Sequence, residues 1–490
     1  VANGVGQAPA DPLHARILVA TYEKYLGLLS GSGIPSDMDQ TIVICDEIQL
    51  LGDATRGRNV ELLLTLLRRA GWAQLVALSA VLEKRDAAEL AAWLGAELVF
   101  SPTREKHITY ELRSKERLFR LNTGADQELK ESKREGAQLD PFEAAASIAN
   151  DKKSAKPVIV FCMRKEDTYA LAARFRQTRN AATAQLPLEF SDLPDTNATN
   201  LLADYLPLGL AIHNADLIEP ERRIVEAAIQ AASVDIVFAT TTLSSGVHFP
   251  LGTAVIHTWR RWNQTTRRRE PIDSSEFHNM AGRVGRMGTT HESGRVVFFA
   301  ADEGELSVAG QYLEIDKLSR LETQIGEEDF DSLSLQLVAA GLADSAKDIV
   351  EILESTLSAQ VLLQHDKATI KRWEGRIGEI VEELVSLELL MRSGKGKLVA
   401  TPLGKAASLS GMRPGSVAML LEYFEKHGDL LSKSLLRKNE KEWQKACFAV
   451  FHACLSTPDF RPRDGRDPTR TLHWPLQRGI GLPLADNSKP

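Results

Sequence analysis

The chain has 490 residues, of which 43% are hydrophobic and 26% charged, and its formal net charge is -7. This balance is typical of a globular protein, and it excludes a wholly basic nucleic-acid coat protein. Four cysteines argue against a disulfide scaffold and fit a reducing cytoplasm, and no apolar run reaches the roughly 18 residues that span a bilayer. We therefore expect a cytoplasmic protein of three or four domains, with no membrane partner.

The first part of the chain alternates between apolar strands and amphipathic helices, which predicts a parallel α/β lobe over residues 1–118. A helix is expected to start near Thr21, and a second helix to end at Gly71. The predicted strands lie at 17–20, in "TIVICDE", in "AQLVALSAV" and in "AELVF", and the predicted helices include "RNVELLLTLLRRAG" and "AAELAAWLG".

A second lobe is predicted over residues 119–322. The polar stretch from about 120 to 150 reads as a linker or surface insertion, and the segment "LEFSDLPDTNATNLLADYLP" as an irregular insertion. The strands of this lobe are predicted in "KPVIVFCMR", "LGLAIHNADL", "VDIVFATTTL", "TAVIHTW" and "GRVVFFAA", and helices in "KEDTYALAARFRQ" and "EPERRIVEAAIQAA".

Beyond about residue 325 the pattern becomes helical. Three helical segments precede "LLMRSGKGKLVATPLGKAASL", which reads as a two-stranded wing with a Gly-Lys turn. We expect a winged-helix-like domain over 323–412, with a plain helical domain as the alternative. Residues 413–490 are expected to form a helical segment and an irregular tail rich in Pro and Gly.

Two adjacent carboxylates, Asp46 and Glu47, follow the apolar run "IVIC". Ligands of open α/β sheets bind at the carboxyl ends of strands, so this pair is a candidate for holding a metal ion and orienting a water. A strand followed by a polar turn is the alternative.

The second lobe offers three candidate phosphate-binding segments. Arg283 and Arg286 in "AGRVGRMG" lie three positions apart, which places both guanidiniums on one helical face that suits a polyphosphate. Hydroxyls and a glycine follow a strand in "FATTTLSSGVHFP". The segment "WRRWNQTTRRRE" is either a phosphate-contacting loop or a solvated one.

The order of these segments resembles the motifs of a known family. The chain resembles superfamily 2 DEAD/DEAH-type helicases of the Ski2-like group, over roughly residues 15–300 and more weakly to about 420. The matching segments are "TYEK" (21–24) for TPEK, "DEIQ" (46–49) for the Walker B motif, "SAV" (79–81) for SAT, "IHNADL" (212–217) for HHAGL, "TTTLSSGVHFP" (240–250) for motif V and "NMAGRVGR" (279–286) for motif VI. The resemblance implies two tandem RecA-like lobes of the P-loop NTPase class.

The resemblance also implies ATP and Mg²⁺ as cofactors. Asp46 would hold Mg²⁺ through water, and Glu47 would orient or deprotonate the attacking water. Gln49 would report the nucleotide state to the other lobe. Arg283 and Arg286 would reach the γ-phosphate, where an arginine finger contributes about 10³ to 10⁵ in rate.

Further residues take roles from the same resemblance. Ser79 and Ala80 would couple the lobes, and Gly246 would lie at the bound nucleotide. The backbone of a single-stranded or partly duplex nucleic acid, DNA or RNA, would contact Thr21, Lys24, His213, Thr240 and Thr242.

The chain departs from this family in one major respect. No GxxxxGK[ST] pattern, the P-loop that cradles the phosphates, occurs in the sequence. The first residue is Val1 and the motifs begin at "TYEK", so we interpret the chain as an N-terminally truncated reading frame or fragment. A true pseudo-enzyme and a split protein whose partner chain supplies the P-loop are the alternatives. Smaller departures are Val81, Asn279 and Tyr22, which replace a threonine, a glutamine and a proline of the family motifs.

We therefore expect an ATP-dependent nucleic-acid helicase or translocase without its P-loop, inactive as an ATPase by itself. We also expect the first lobe to be unstable, because its sheet lacks the strands that bury its hydrophobic edge. A non-catalytic nucleic-acid-binding scaffold with a decayed helicase fold remains the alternative from another class.

Overall fold

The computed structural model describes residues 13, 15–101, 106–115, 117–123, 129–133, 140–151, 154–179, 188–244, 249–263, 266–285, 291, 293–314, 318, 320–365, 369–436 and 439–460. The helices are α1 (Tyr22–Ser32), α2 (Gly57–Ala70), α3 (Lys84–Leu94), α4 (Pro141–Asn150), α5 (Lys165–Arg176), α6 (Asn197–Tyr205), α7 (Glu219–Gln230), α8 (Ser274–Ala281), α9 (Glu303–Ala309), α10 (Phe330–Ala339), α11 (Ala346–Glu354), α12 (Leu357–His365), α13 (Thr369–Ser386), α14 (Pro402–Ser410), α15 (Pro414–Leu436) and α16 (Glu440–Leu455).

The strands belong to two α/β sheets, a hairpin and a wing. They are β1 (Ile42–Cys45), β2 (Gln74–Ala77), β3 (Ile108–Arg113), β4 (Arg117–Asn122), β5 (Leu129–Lys133), β6 (Val158–Cys162), β7 (Leu210–His213), β8 (Ile236–Thr240), β9 (Thr253–Ile256), β10 (Arg260–Asn263), β11 (Arg268–Pro271), β12 (Gly294–Phe299), β13 (Leu390–Arg392) and β14 (Leu398–Ala400).

The chain divides into two compact units. The first unit holds residues 1–79, 92–96 and 321–490, and the second holds residues 80–91 and 97–320. The first unit therefore combines part of the predicted first lobe with the predicted winged-helix and C-terminal segments.

One hydrophobic core joins these parts of the first unit. Leucines of α1 and α2 lie in the same buried cluster as residues of α10, α11 and α13. Phe330 packs edge-to-face on Trp373, with ring centroids 4.9 Å apart. Polar contacts reinforce the junction, since Arg58 donates a 2.8 Å hydrogen bond to the buried carboxylate of Asp329. The helices of the predicted first lobe and of the predicted winged-helix domain thus share one core, although the predicted second lobe lies between them in the chain.

The first-lobe sheet consists of two parallel strands among the described residues, β1 and β2. One face packs on the core, and the opposite face leaves Ile42 and Ile44 60% and 67% exposed. Parallel sheets normally bury both faces. Two large apolar side chains of β1 therefore face solvent, and the predicted instability of the first lobe stays a prediction.

The second unit is built on an eight-stranded sheet of described strands in the order β5-β4-β3-β12-β9-β6-β8-β7. The strands from β3 to β7 in this order are parallel to their neighbours, whereas β4 and β5 are antiparallel. The parallel strands are apolar runs, and β6, β7 and β9 are buried throughout. This architecture confirms the predicted α/β class.

Four local predictions were wrong. The segment 188–207 is not irregular, because it contains α6. The stretch from 120 to 150 is not a linker or surface insertion, because it carries the end of β4, all of β5 and α4. Residues 17–20 and 96–100 are not strands. Ile17 and Val19 are 68% and 60% exposed, so these apolar side chains do not lie in a buried sheet.

The wing of the first unit is confirmed. Strands β13 and β14 pair antiparallel, and Gly396 in the turn between them has a φ of 75°, which favours glycine. Helices α10 to α13 precede the wing and α14 follows it. The tail predicted after about residue 460 lies outside the described residues. Within the described part of the chain, no helix combines the length and the apolar character needed to cross a bilayer.

Candidate functional site

The acid pair lies where β1 ends, as predicted. Cys45 closes the strand in the core, Asp46 is exposed, and Glu47 is partly buried before the 3₁₀ turn Ile48–Gly52. Glu47 has a φ of 55° and a ψ of 45°, the left-handed region. A residue with a side chain is disfavoured there by roughly 1–2 kcal/mol, so neighbouring contacts must hold this turn.

A chain of hydrogen bonds fixes the turn and connects it to Ser79. The main-chain N–H of Glu47 donates to Asp46 Oδ1 at 2.9 Å, and the side-chain amide of Gln49 donates to the Glu47 carboxylate. The hydroxyl of Ser79 donates to Gln49 Oε1 at 2.6 Å. The structure therefore brings Asp46, Glu47, Gln49 and Ser79 together, and exposed Ala80 follows directly in the chain.

The start of α1 reaches the same loop. Thr21 caps the helix, its hydroxyl accepting a 3.2 Å hydrogen bond from the main-chain nitrogen of Lys24, and both residues are exposed. The hydroxyl of Tyr22 donates a 2.7 Å hydrogen bond to the main-chain carbonyl oxygen of Asp46. Burial raises the pKa of Tyr22 well above its usual range and that of the adjacent Cys45 thiol to about 11, so both groups stay neutral at physiological pH.

The acid loop fits a magnesium ion that is shared with a bound phosphate. Mg²⁺ in nucleotide sites is commonly held through one or two protein carboxylates, with water and phosphate oxygens as the other ligands. Asp46 offers an exposed carboxylate for this arrangement. Among the described residues no cluster of three or more His, Cys, Asp or Glu forms a cage for a metal ion.

The candidate residues of the second unit differ in solvent exposure. Thr240 ends β8 and is partly buried, while the side chain of Thr242 and all of Gly246 lie outside the described residues. Arg283 lies in the turn after α8 and not on a helix as predicted, and it is only 2% exposed. Arg286 lies outside the described residues. The predicted meeting of these arginines with a nucleotide held at the acid loop stays a prediction.

His213 occupies a buried position at the end of β7. The ring is 3% exposed, and Nε2 lies 3.1 Å from Oε1 of Glu226 in α7. Burial lowers the pKa of His213, although Glu226 acts in the opposite direction. The observed contact lies inside the protein, and the buried ring does not support a contact with a nucleic-acid strand. That role of His213 stays a prediction.

The arginine-rich segment forms an exposed antiparallel hairpin, β10–β11. Trp262 lies opposite Arg269 in the register and is 51% exposed. Arg260 and Arg261 pair with Glu305 and Glu276 respectively. The remaining arginines of the segment, 267 to 269, are exposed and form no ion pair with a described acidic side chain.

The hairpin combines an exposed aromatic ring with unpaired cations. Aromatic rings stack on nucleic-acid bases, and arginines bind phosphates, so this surface suits a single strand. Sequence reasoning identified the arginines but missed the hairpin and Trp262. The available signal was an aromatic residue within an Arg-rich segment whose two halves are separated by the polar turn residues "NQTT".

Several helicases are similar to this chain in sequence. No protein-family model matches the chain. The ATP-dependent DNA helicase Hel308 of Pyrobaculum calidifontis is 30% identical, over 93% of this chain and 61% of that protein. Hel308 of Pyrococcus horikoshii is 28% identical, over 91% of this chain and 58% of that protein. The POLQ-like helicase of Caenorhabditis elegans is 26% identical, over 88% of this chain and 48% of its own length.

A solved structure is similar in fold. The helicase Lhr of Mycobacterium smegmatis, bound to single-stranded DNA and AMP-PNP, matches with a TM-score of 0.54 and 16% identity, over 81% of this chain and 46% of that one. This similarity agrees with tandem RecA-like lobes followed by a helical domain. The chain spans between 57% and 61% of the three Hel308 proteins that match it at 27–30% identity over at least 91% of its length.

Proposed function

Because this chain is a homologue of the Ski2-like superfamily 2 helicases, we propose that it forms the Walker B and DNA-contacting part of an ATP-dependent DNA helicase. The observation that carries the proposal is the acid loop, in which Asp46 and Glu47 end a strand and are hydrogen-bonded through Gln49 to Ser79. The order and the contacts of these residues suit coupling between nucleotide hydrolysis and movement of a second lobe.

The acid pair supplies the chemistry of hydrolysis in this proposal. Asp46 would hold the Mg²⁺ that accompanies ATP, and a metal bound there would supply neutralisation of charge on the phosphates. Glu47 accepts a hydrogen bond from Gln49, which orients its carboxylate toward an attacking water. Arg283 and Arg286 complete the site by stabilising the charge that develops on the transferred phosphoryl group.

ATP hydrolysis requires a P-loop that the 490 residues do not contain. Backbone amides and a lysine of that loop bind the phosphates, and without them both affinity and transition-state stabilisation are lost. We propose that a P-loop segment, on the same polypeptide or on a partner chain, completes the first sheet beside the exposed Ile42 and Ile44. The chain by itself then binds DNA and hydrolyses ATP negligibly.

In this proposal each unit offers its own exposed residues for contact with DNA. The start of α1 offers Thr21 and Lys24 to the phosphates of one strand. The β10–β11 hairpin offers Trp262 to the bases and its unpaired arginines to the phosphates. A DNA rather than RNA substrate is proposed because the Hel308 relatives are DNA helicases by name and Lhr was solved with single-stranded DNA.

A second candidate function is a nucleic-acid-binding scaffold with a decayed helicase fold. The absence of the P-loop pattern favours it, whereas the intact acid loop favours the helicase, since a scaffold needs no acid pair. Strand-displacement assays separate the two. The purified chain, supplied with a P-loop-bearing first-lobe segment, is given DNA and RNA duplexes overhung at either end. ATP-dependent displacement of DNA supports the helicase, whereas binding without displacement supports the scaffold.

A further inference from the structure

The acid loop is held in a strained turn by hydrogen bonds from several directions. Glu47 adopts left-handed backbone angles, and the following amide, of Ile48, donates to the carbonyl of Leu78 at 3.0 Å. The carbonyl that precedes Glu47 belongs to Asp46 and accepts the Tyr22 hydroxyl at 2.7 Å. Through the Tyr22 hydroxyl, α1 is therefore hydrogen-bonded to the peptide unit that joins Asp46 and Glu47.

Tyr22 lies between the DNA-facing start of α1 and the acid loop. It follows Thr21, whose side chain caps the helix, and it precedes exposed Lys24 by two residues. Its ring packs against the hydrophobic core of the first unit while its hydroxyl reaches a residue 24 positions later. A helix moves as a rigid element, so a force on its first turn is carried directly to that hydroxyl.

We propose that Tyr22 is a positioning residue that couples a DNA strand bound at the start of α1 to the conformation of the acid loop. The inference rests on the proposed function and extends it. A strand held by Thr21 and Lys24 fixes the first turn of α1, which keeps the Tyr22 hydroxyl on the Asp46 carbonyl. The peptide between Asp46 and Glu47 is then held in the orientation that presents both carboxylates to a nucleotide.

A proline at this position, as in the family motif, has no hydroxyl and cannot make this contact. The coupling that we propose is therefore a property of this chain's own residue, and it is absent wherever the hydroxyl is absent.

Hydrogen–deuterium exchange of the acid loop tests the proposal in the 490-residue chain. The amides of Glu47, Ile48 and Leu50 are hydrogen-bonded, and a peptide covering residues 42–53 reports their opening. We expect a saturating single-stranded DNA oligonucleotide to slow exchange of this peptide about threefold to tenfold. In Tyr22→Phe, which keeps the ring and removes the hydroxyl, DNA binds with less than a threefold change in affinity but no longer slows this exchange.

Tyr25→Phe is the matched control. Tyr25 lies on the same helix, and its hydroxyl contacts the sulfur of Met38 at 4.0 Å rather than the acid loop. This variant is expected to keep the DNA-dependent slowing. A purely structural role of Tyr22 would instead speed exchange equally with and without DNA.

Four outcomes decide between the proposals. If the wild-type chain binds no DNA, the proposed function and the coupling both fail. If it binds DNA and exchange of residues 42–53 does not change, the coupling alone fails. The coupling also fails if Tyr22→Phe keeps the slowing. Lys24→Ala provides a second variant that leaves the Tyr22 hydroxyl in place. In this variant the slowing of exchange must shift to higher DNA concentration, in parallel with the weakened binding. If the DNA concentration that slows exchange does not change, the coupling fails.

Discussion

The carboxylate of Glu61 accepts two hydrogen bonds from Ser358, one from the main-chain nitrogen at 2.6 Å and one from the hydroxyl at 2.8 Å. Glu61 lies on α2 and Ser358 on α12, and both side chains are fully buried. This contact joins the first-lobe helices to the helical segment of the same unit. Burial raises the pKa of Glu61 to about 7, against the hydrogen bonds that favour its charged form.

The first prediction concerns the pH dependence of this unit. The pKa of Glu61 is about 7 in the folded state, and its ordinary value is 4.5. The folded state therefore favours the protonated carboxyl, and this stabilisation is complete below pH 4.5 and is lost as the pH rises through 7. The loss amounts to roughly 3 kcal/mol. Glu61→Gln stays neutral, so the difference in unfolding free energy between variant and wild type should shift in favour of the variant between pH 5 and pH 8.

Chemical denaturation at several pH values measures this difference. Glu351→Gln, a change at an exposed carboxylate, is the control and should give a difference that does not vary in the same way. A difference for Glu61→Gln that stays constant from pH 5 to pH 8 would show that Glu61 does not titrate in this range.

The second prediction concerns the second unit and has the opposite sign. His278 on α8 is packed edge-on against Tyr110 and Phe277, and burial lowers its pKa from 6.5 to about 4. Its neutral form contributes stability above pH 6.5 that is lost as the pH falls toward 4, by roughly 3 kcal/mol. His278→Gln cannot gain this proton, so its unfolding free energy should fall less than that of wild type below pH 6. Parallel pH profiles of the two proteins would contradict the prediction.

The third prediction concerns the hairpin. Trp262→Ala removes an exposed ring that we expect to stack on a base, and stacking of one base contributes about 1–3 kcal/mol. Fluorescence anisotropy with a labelled single-stranded oligonucleotide should show roughly tenfold weaker binding. Trp443→Ala on α16 is the matched control, since the two rings are 51% and 50% exposed. Equal affinity of the Trp262 and Trp443 variants would remove the hairpin from the DNA-contacting surface.

Much of the local structure could be predicted from the sequence. The run "IVIC" forms β1, and α2 ends at Ala70 with Gly71 as its C-cap. Gly71 has a φ of 88°, which glycine adopts without the steric cost of a Cβ atom. The acid loop was also located correctly, because its position follows from the end of a strand. Such features depend on residues close together in the chain.

Other features depend on contacts that spacing does not encode. The segment around β4 and β5 is polar because these strands extend the edge of the sheet, and Arg117 and Glu131 pair across them at 2.6 Å. The shared core of the first unit depends on pairs such as Arg58 and Asp329, which are 271 positions apart. The hydrogen bond from Tyr22 to Asp46 also joins residues 24 positions apart, and the motif itself shows Tyr22 only as a departure from proline.

A comparison of ATP hydrolysis by the wild type and by Glu47→Gln tests the central claim most directly. The chain is joined to a first-lobe segment that carries a GxxxxGK[ST] pattern, and turnover is measured with and without single-stranded DNA for wild type and Glu47→Gln. We predict DNA-stimulated turnover that falls at least about 100-fold in the variant while DNA affinity is unchanged, since general-base catalysis contributes about 10² to 10⁴ in rate. Turnover that is equal in the two proteins would contradict the assignment of the acid loop to nucleotide hydrolysis.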